Sequence, residues 1–283
     1  MTGYLDSTYA FSLEEFGTPY FLENCAGWIL KRKIPGTNYV DSMGCYPLFT
    51  CKNWSKFPED IQCLDSELVR LSIVTDPFGE FDPNRLKNIF PDKFIEFKDH
   101  FIVDLKSPID SIISTHHRRY ARKALSLVSV EKCRNPLEYL DQWLDLYKYL
   151  IERHDIKKFL QFSKETFIKQ FSVPGAVVFR AIYEGNTVGM VLWYQMGDRC
   201  YYHLGASSKI GYDCYASFAL FWNSIEHFSR QLRWLDLGGG AGLKIGGTDG
   251  LSRFKQGWST CTKIVYFCGR ILNHQRYSDI IRD

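Results

Sequence analysis

The stretch AVVFRAIYEGNTVGMVLWYQMGDRCYYHLGA, residues 176–206, decides the fold. Within it Ala176–Tyr183, Thr187–Gln195 and Cys200–Ala206 are rich in β-branched and aromatic residues. Glu184-Gly185-Asn186 and Gly197-Asp198-Arg199 join them. Connections this short make neighbouring strands antiparallel, so the stretch predicts a three-stranded meander. Beyond it, Ser207–Asp213 leads into an amphipathic helix ending near Ser229, with Phe218, Phe221, Ile225 and Phe228 inward. A strand returns over Leu232–Leu237, and a loop carrying Gly238, Gly239, Gly240, Gly242, Gly246, Gly247 and Gly250 follows. Thr262–Cys268 is a last strand.

Upstream, Gly27–Lys33 and Asn38–Ser42 read as strands about a Pro35-Gly36 turn, while residues 1–24 and 43–66 show no clean period. Glu67–Thr75 is a strand stopped by Asp76-Pro77-Phe78-Gly79. A helix over Pro83–Phe90 and a strand over Phe94–Leu105 complete one α/β unit. Ser107-Pro108-Ile109-Asp110 is a helix-start signal. Continued at 100° per residue, it puts Ile109, Ile112, Ile113, His116, Tyr120, Ala124 and Leu127 on one face. Arg118 and Arg122 point away, and Arg119 and Lys123 sit at the border, on a solvated face or reaching into a cleft. Two more helices begin at Asn135-Pro136 and Lys164, the first burying Leu140, Trp143, Leu144, Tyr147, Leu150 and Ile151.

The chain has 283 residues, 45% hydrophobic and 24% charged, which is the make-up of one large or two packed globular domains. A net charge of +3 argues against extensive contact with DNA or other nucleic acid. No apolar run approaches a membrane span and no basic, apolar leader opens the chain, so the expected compartment is the cytoplasm. Nine cysteines, an odd number without a C-x-x-C pair, argue against a disulfide framework or zinc ribbon, and no metal is expected.

The glycine loop fits neither common nucleotide motif. Counted from Gly238, a P-loop or a dinucleotide fingerprint would need glycine where Leu243 stands. What the region offers is an acid at a strand end, Asp236, a permissive backbone, and Lys255 between Phe254 and Trp258. Acyl transfer to an amine asks for such parts: a cation for the oxyanion, an acceptor for the proton, and positioned reactants. Lys255 is the candidate cation, with an ordinary surface lysine as the alternative. Asp236 either binds or deprotonates the acceptor amine, or caps the loop. His203 either relays a proton or packs in its strand.

Meander, helix, strand, loop, strand is the order of the GNAT acyltransferase core, and the C-terminal part resembles the Fem branch of peptidoglycan-bridge aminoacyltransferases. Tyr202-His203-Leu204-Gly205-Ala206-Ser207, Asp236-Leu237-Gly238-Gly239 and Gly250-Leu251-Ser252-Arg253-Phe254-Lys255-Gln256-Gly257-Trp258 carry the resemblance, with Arg122-Lys123-Ala124 and Gly269. It implies an α/β fold of two packed GNAT-like halves. The half over residues 1–106 would be degenerate and the half over 107–283 complete. It also implies that Lys255 is catalytic. The residues themselves, not the resemblance, make Asp236 and His203 the candidate acid–base partners and the following ones the candidate contacts. Phe254, Trp258, Arg253, Arg119, Lys123, Gly238 and Gly239 would contact substrate. Donor phosphates would lie at the helix start near Gly211, Tyr212 and Asp213.

The implied reaction is N-acyl transfer, acetyl or aminoacyl, from a thioester or ester to an amine of a cell-wall precursor, sugar or small metabolite. Acyl-CoA or aminoacyl-tRNA would be the co-substrate, with no permanently bound cofactor. Two further readings stay open: a GNAT-fold binding protein without turnover, and a thiol acyltransferase using Cys200 or Cys214.

Overall fold

The computed structural model describes residues 1–64, 68–241 and 249–282. Glu67, at the head of a predicted strand, and Gly242, Gly246 and Gly247 of the glycine loop lie outside them. In chain order the first elements are α1 (Ser7–Ser12), β1 (Thr18–Leu22), β2 (Gly27–Lys33), β3 (Val40–Gly44), α2 (Phe57–Cys63), β4 (Leu68–Val74), α3 (Pro83–Ile89) and β5 (Lys93–Asp104). Next come α4 (Ile109–Ile112), α5 (Thr115–Leu125), β6 (Ser129–Lys132), α6 (Leu140–His154), α7 (Lys164–Phe171), β7 (Ala176–Tyr183), β8 (Asn186–Met196) and β9 (Arg199–Ser207). The last are α8 (Lys209–Asp213), α9 (Ala216–Phe228), β10 (Trp234–Asp236), α10 (Gly250–Gln256), β11 (Cys261–Ile271) and α11 (His274–Arg282).

Two compact units share these elements: Gly3–Lys98 with the chain from Ile264 on, and Asp99–Lys263. The sequence places a single junction at 106/107. Both actual passages fall inside strands, β5 and β11, where no turn residue marks them. β11 returns to the first unit to pair antiparallel with β4, Phe267 opposite Val74.

In the first unit the strand order is β1-β2-β3-β4-β11, with β3 and β4 parallel. Ile29, Phe49, Phe57, Leu71, Ile73, Phe90 and Cys268 form its core. The segments that read as irregular hold α1, β1 and α2, each seven residues or fewer, too short for a hydrophobic period to register.

The second unit has the order β5-β10-β9-β8-β7-β6. The meander forms as predicted. Glu184 (φ 48°) and Gly185 (φ 80°) both take left-handed conformations between β7 and β8, the requirement of a two-residue hairpin whose twist matches its strands. β10 inserts beside them, parallel to β9 and antiparallel to β5. Helix α9 covers one face of β7–β9, and Trp193, Phe221, Phe228, Leu235 and Trp258 fill the core there. On the other face Tyr194 of β8 donates to the Gln170 carbonyl of α7 (3.0 Å), and α6 packs against β8 and β9.

One predicted helix is two. Ile113 is extended (ψ 127°), and Ser114 caps α5 by accepting from the His117 amide at 3.2 Å. The break advances the helical phase by one residue. His117, Ala121, Ala124 and Val128 are buried, whereas His116 and Leu127 face water. The buried stripe of α6 also differs from the predicted one, with Leu146 inside and Leu144, Leu150 and Ile151 only half-buried.

Gly211 seats α8 against β8. A Cβ there would collide with the Val188 carbonyl, and backbone cannot move aside as a side chain can. Gly211→Ala is expected to cost at least about 2 kcal/mol in urea denaturation. Gly250→Ala, with open space around it, should be neutral or stabilising by about 0.5–1 kcal/mol. Equal stability of the two variants would mean that α8 is not held by this contact.

Candidate active site

β10 matches β9 for three residues only, Trp234–Asp236 against Arg199–Tyr201. The chain then follows β5 instead: the Leu237 amide donates to the Phe101 carbonyl (2.9 Å) and the Phe101 amide to the Gly238 carbonyl (3.2 Å). β9 runs on to Ser207 with β8 on one side. Among the described residues no strand pairs with its other side past Tyr201. An opening therefore begins where β10 ends, bordered by backbone amides and carbonyls of Tyr202–Ser207.

Two sets of polar side chains meet this point from opposite faces of the sheet. On the core face Lys255 of α10 is 5% exposed. Its Nζ donates to the Gly239 carbonyl at 2.7 Å and lies 5.4 Å from the centre of the Tyr202 ring. Gly238 is left-handed (φ 75°), and a Cβ on it would approach Lys255 Nζ to 3.1 Å. Helix α10 starts where it does because the Asp249 carboxylate accepts from the Ser252 amide (2.8 Å). Its other end is tied to α5 through His117, whose Nε2 donates to the Phe254 carbonyl (2.8 Å) while Nδ1 accepts from Ser114 Oγ (3.0 Å). Burial holds that imidazole below its ordinary pKa, so it stays neutral.

On the opposite face Asp236, 2% exposed, accepts from the Gly238 amide (2.7 Å) and from His100 Nδ1, which lies 2.8 and 3.0 Å from its two oxygens. The loop-capping alternative for Asp236 is thus the geometry found, with a buried histidine added to it. Sequence reasoning passed over His100. Its only signal was a histidine in a strand whose neighbours on the same face, two residues away, include Ile102.

His203 and Trp258 do not join Lys255. His203 packs against Tyr194 and Phe162 on the α6–α7 side, and burial pushes its pKa down to about 3. A group so reluctant to charge is a poor proton relay. Trp258 is fully buried against Phe221 and His117, so it is core, not a wall facing substrate. Phe254 is half-buried beside Phe218 and Phe221, and Arg253 is exposed on α10.

The amides expected to face phosphate at Gly211 and Tyr212 are already used, donating to Ser208 Oγ (3.1 Å) and to the Ser208 carbonyl (3.0 Å). Tyr212 lies under Arg153, and Asp213 is exposed. Arg119 and Lys123 are exposed on α5, with Lys123 Nζ 4.5 Å above the Tyr215 ring. Cys200 is fully buried and its thiol is held well above the usual range, which removes it as a thiolate nucleophile. A separate cavity of about 370 Å3, lined by Gln142, Asp145, Arg180, Thr187 and Ser208 among others, includes none of the residues around Lys255.

A meander, a covering helix and a strand that parts from its parallel neighbour define a GNAT-type acyltransferase. The chain belongs to the acetyltransferase (GNAT) domain family, whose model matches residues 114–256. Its fold is that of FemX, to which it is 14% identical with a TM-score of 0.70, over 97% of this chain and 93% of that one. It is also similar to the C-terminal domain of a protein from Agrobacterium fabrum described as a lysylphosphatidylglycerol synthetase (TM-score 0.66, 13% identity, 98% and 91% covered). L-PGS from Bacillus licheniformis gives a TM-score of 0.59 at 15% identity, with 99% and 96% covered. No curated protein sequence matches the chain. No helix of the described residues is long and apolar enough to cross a membrane.

His203 gives the unit an acid sensitivity. Its folded pKa of about 3 lies below the value of 6.5 it has when unfolded, so the unfolded chain binds its proton first. The contribution is complete above pH 6.5 and is lost as pH falls towards 3, at about 1.4 kcal/mol per pH unit. Between pH 7 and 5 the parent should lose about 2 kcal/mol more stability than His203→Gln, measured by urea denaturation. Parallel losses would show that His203 is not buried in neutral form.

Proposed function

We propose that the protein moves an acyl group, acetyl or aminoacyl, from a thioester or ester donor to an amine. The observation that carries this reading is the buried ammonium of Lys255, hydrogen-bonded to the Gly239 carbonyl where β9 and β10 part. The edge of β9 past Tyr201, with which no described strand pairs, suits a donor that carries its own amides, such as the pantetheine arm of CoA, since backbone groups away from water need partners. The donor carbonyl would then lie near the end of β10. A cation held in a low-dielectric site stabilises negative charge developing there far more than a solvated one does. Tyr202 and Phe254 limit water on that side.

Both donor classes fit this chemistry. Two of the solved neighbours are by name synthetases of an aminoacylated lipid or share its abbreviation, which makes the aminoacyl ester one arm of the test. Arg119 and Lys123 on α5, with Lys123 beside Tyr215, would meet phosphates of either donor. The acceptor is an amine of a cell-wall precursor, sugar or small metabolite.

The deciding experiment incubates the protein with acetyl-CoA, longer acyl-CoAs and charged tRNA in parallel, scoring which thioester or ester is consumed as amines are added. One class should be consumed, and only with amine present. Lys255→Met, nearly isosteric, should lower kcat on that donor by about 100-fold or more with KM changed only a few-fold. Activity within a few-fold of the parent would remove Lys255 from the chemistry. Arg119→Ala and Lys123→Ala should each raise the donor's KM and flatten its dependence on salt. Unchanged values would return both to the solvated face.

A further inference from the structure

The reaction just proposed needs an acceptor for the amine's proton, and Lys255, a cation with donors only, does not supply one. Asp236 is occupied by the Gly238 amide and by His100. His203 is buried and resists charging. We propose that His100 is the base, oriented by Asp236, and that its Nε2 takes the proton from the attacking amine. The inference rests on the acyl-transfer reading and names the residue that makes its acceptor reactive.

Four observations carry it. First, the pair is buried, with His100 7% and Asp236 2% exposed. Such a pair costs free energy to bury. Second, a carboxylate can only accept, so Nδ1 carries a proton and the lone pair of the neutral ring is fixed on Nε2. Third, Nε2 has no hydrogen bond to any described residue, whereas Nδ1 contacts both Asp236 oxygens. Fourth, the dyad and Lys255 hold consecutive residues of one loop, Gly238 through its amide and Gly239 through its carbonyl. Base and cation therefore flank the point where the opening begins.

The step balances without any added co-reactant. The amine nitrogen attacks the donor carbonyl carbon and a C–N bond forms. The proton leaves nitrogen for His100 Nε2, giving an imidazolium paired with Asp236. The C–S or C–O bond breaks, and the departing sulfur or oxygen takes that proton back from Nε2.

A purely structural role would be served by the Nδ1–Asp236 bond alone, and His100→Asn separates the two. The asparagine amide can replace Nδ1–H as donor to Asp236 but offers no base where Nε2 was. On whichever donor the parallel incubation identifies, His100→Asn is expected to keep its melting temperature within a few degrees. It should lower kcat by about 100-fold or more with KM within about three-fold, and free imidazole should restore part of the loss. Full activity in His100→Asn overturns the proposal while leaving Lys255 and acyl transfer standing. Consumption of none of the donors sinks the acyl-transfer reading instead. Independently of turnover, 15N spectra of histidine-labelled protein, with His100→Asn giving the assignment, report the ring's state. A neutral ring protonated at Nδ1 and lost as a distinct species in Asp236→Asn supports the dyad, and a proton on Nε2 in the neutral ring overturns it.

Discussion

β10 stays with β9 for three residues and then leaves it for β5, and every polar side chain of the candidate site is arranged about that departure. Parting a parallel pair is costly, because each strand gives up backbone hydrogen bonds that water would otherwise have to replace. The chain limits the cost on one side by letting Leu237 and Gly238 continue the ladder with Phe101. Among the described residues no strand pairs with the other side, the edge of β9 past Tyr201. An open edge inside a folded unit is a liability unless something is meant to bind there.

The opening is held by a loop with two fixed points. Gly238 is left-handed and donates its amide to Asp236; Gly239 gives its carbonyl to Lys255. A side chain at 238 would be strained by its φ and would crowd the ammonium. Thus the acid, the glycines and the lysine act as one device. The acid and the cation are kept on opposite faces of the sheet, the acid held by the Gly238 amide and His100 and the cation by the Gly239 carbonyl.

Much of this was legible in the residues. The meander and the strand over 27–33 follow from their apolar and aromatic runs and from turn chemistry, because hairpin loops of two residues admit few conformations. The grouping of Asp236, Gly238 and Lys255 was visible as an acid, a permissive backbone and a cation in order along the chain. What escaped had physical reasons. The break at Ile113–Ser114 depends on a serine cap and on the Ser114 amide reaching the Gly257 carbonyl (3.0 Å), a contact across many residues that no local period records. His116 and His117 are adjacent, so one residue of phase decided which of them is buried. His100 was hidden because its partner lies 136 residues away. Trp258 was misplaced since an aromatic beside a lysine reads the same whether it lines a cleft or fills a core.

The energetic logic explains why the candidate site needs so large an aromatic core behind it. Burying a lysine, an aspartate and a histidine in one small region works against stability, by several kcal/mol for each charge not well paired. Each hydrogen bond found here recovers only part of that. The surplus must come from apolar burial nearby, and Trp193, Phe221, Phe228 and Trp258 lie fully or almost fully buried on the face from which Lys255 enters. Aromatic side chains of that size contribute about 3–5 kcal/mol each by the measure of truncation. The core also fixes position: Phe254 on α10 and Trp258, two residues past its end, pack on each other to either side of Lys255 in the chain, so their packing sets where the ammonium can reach. Stability and chemistry are therefore coupled in one short helix, in which the same turn anchors the core and delivers the cation.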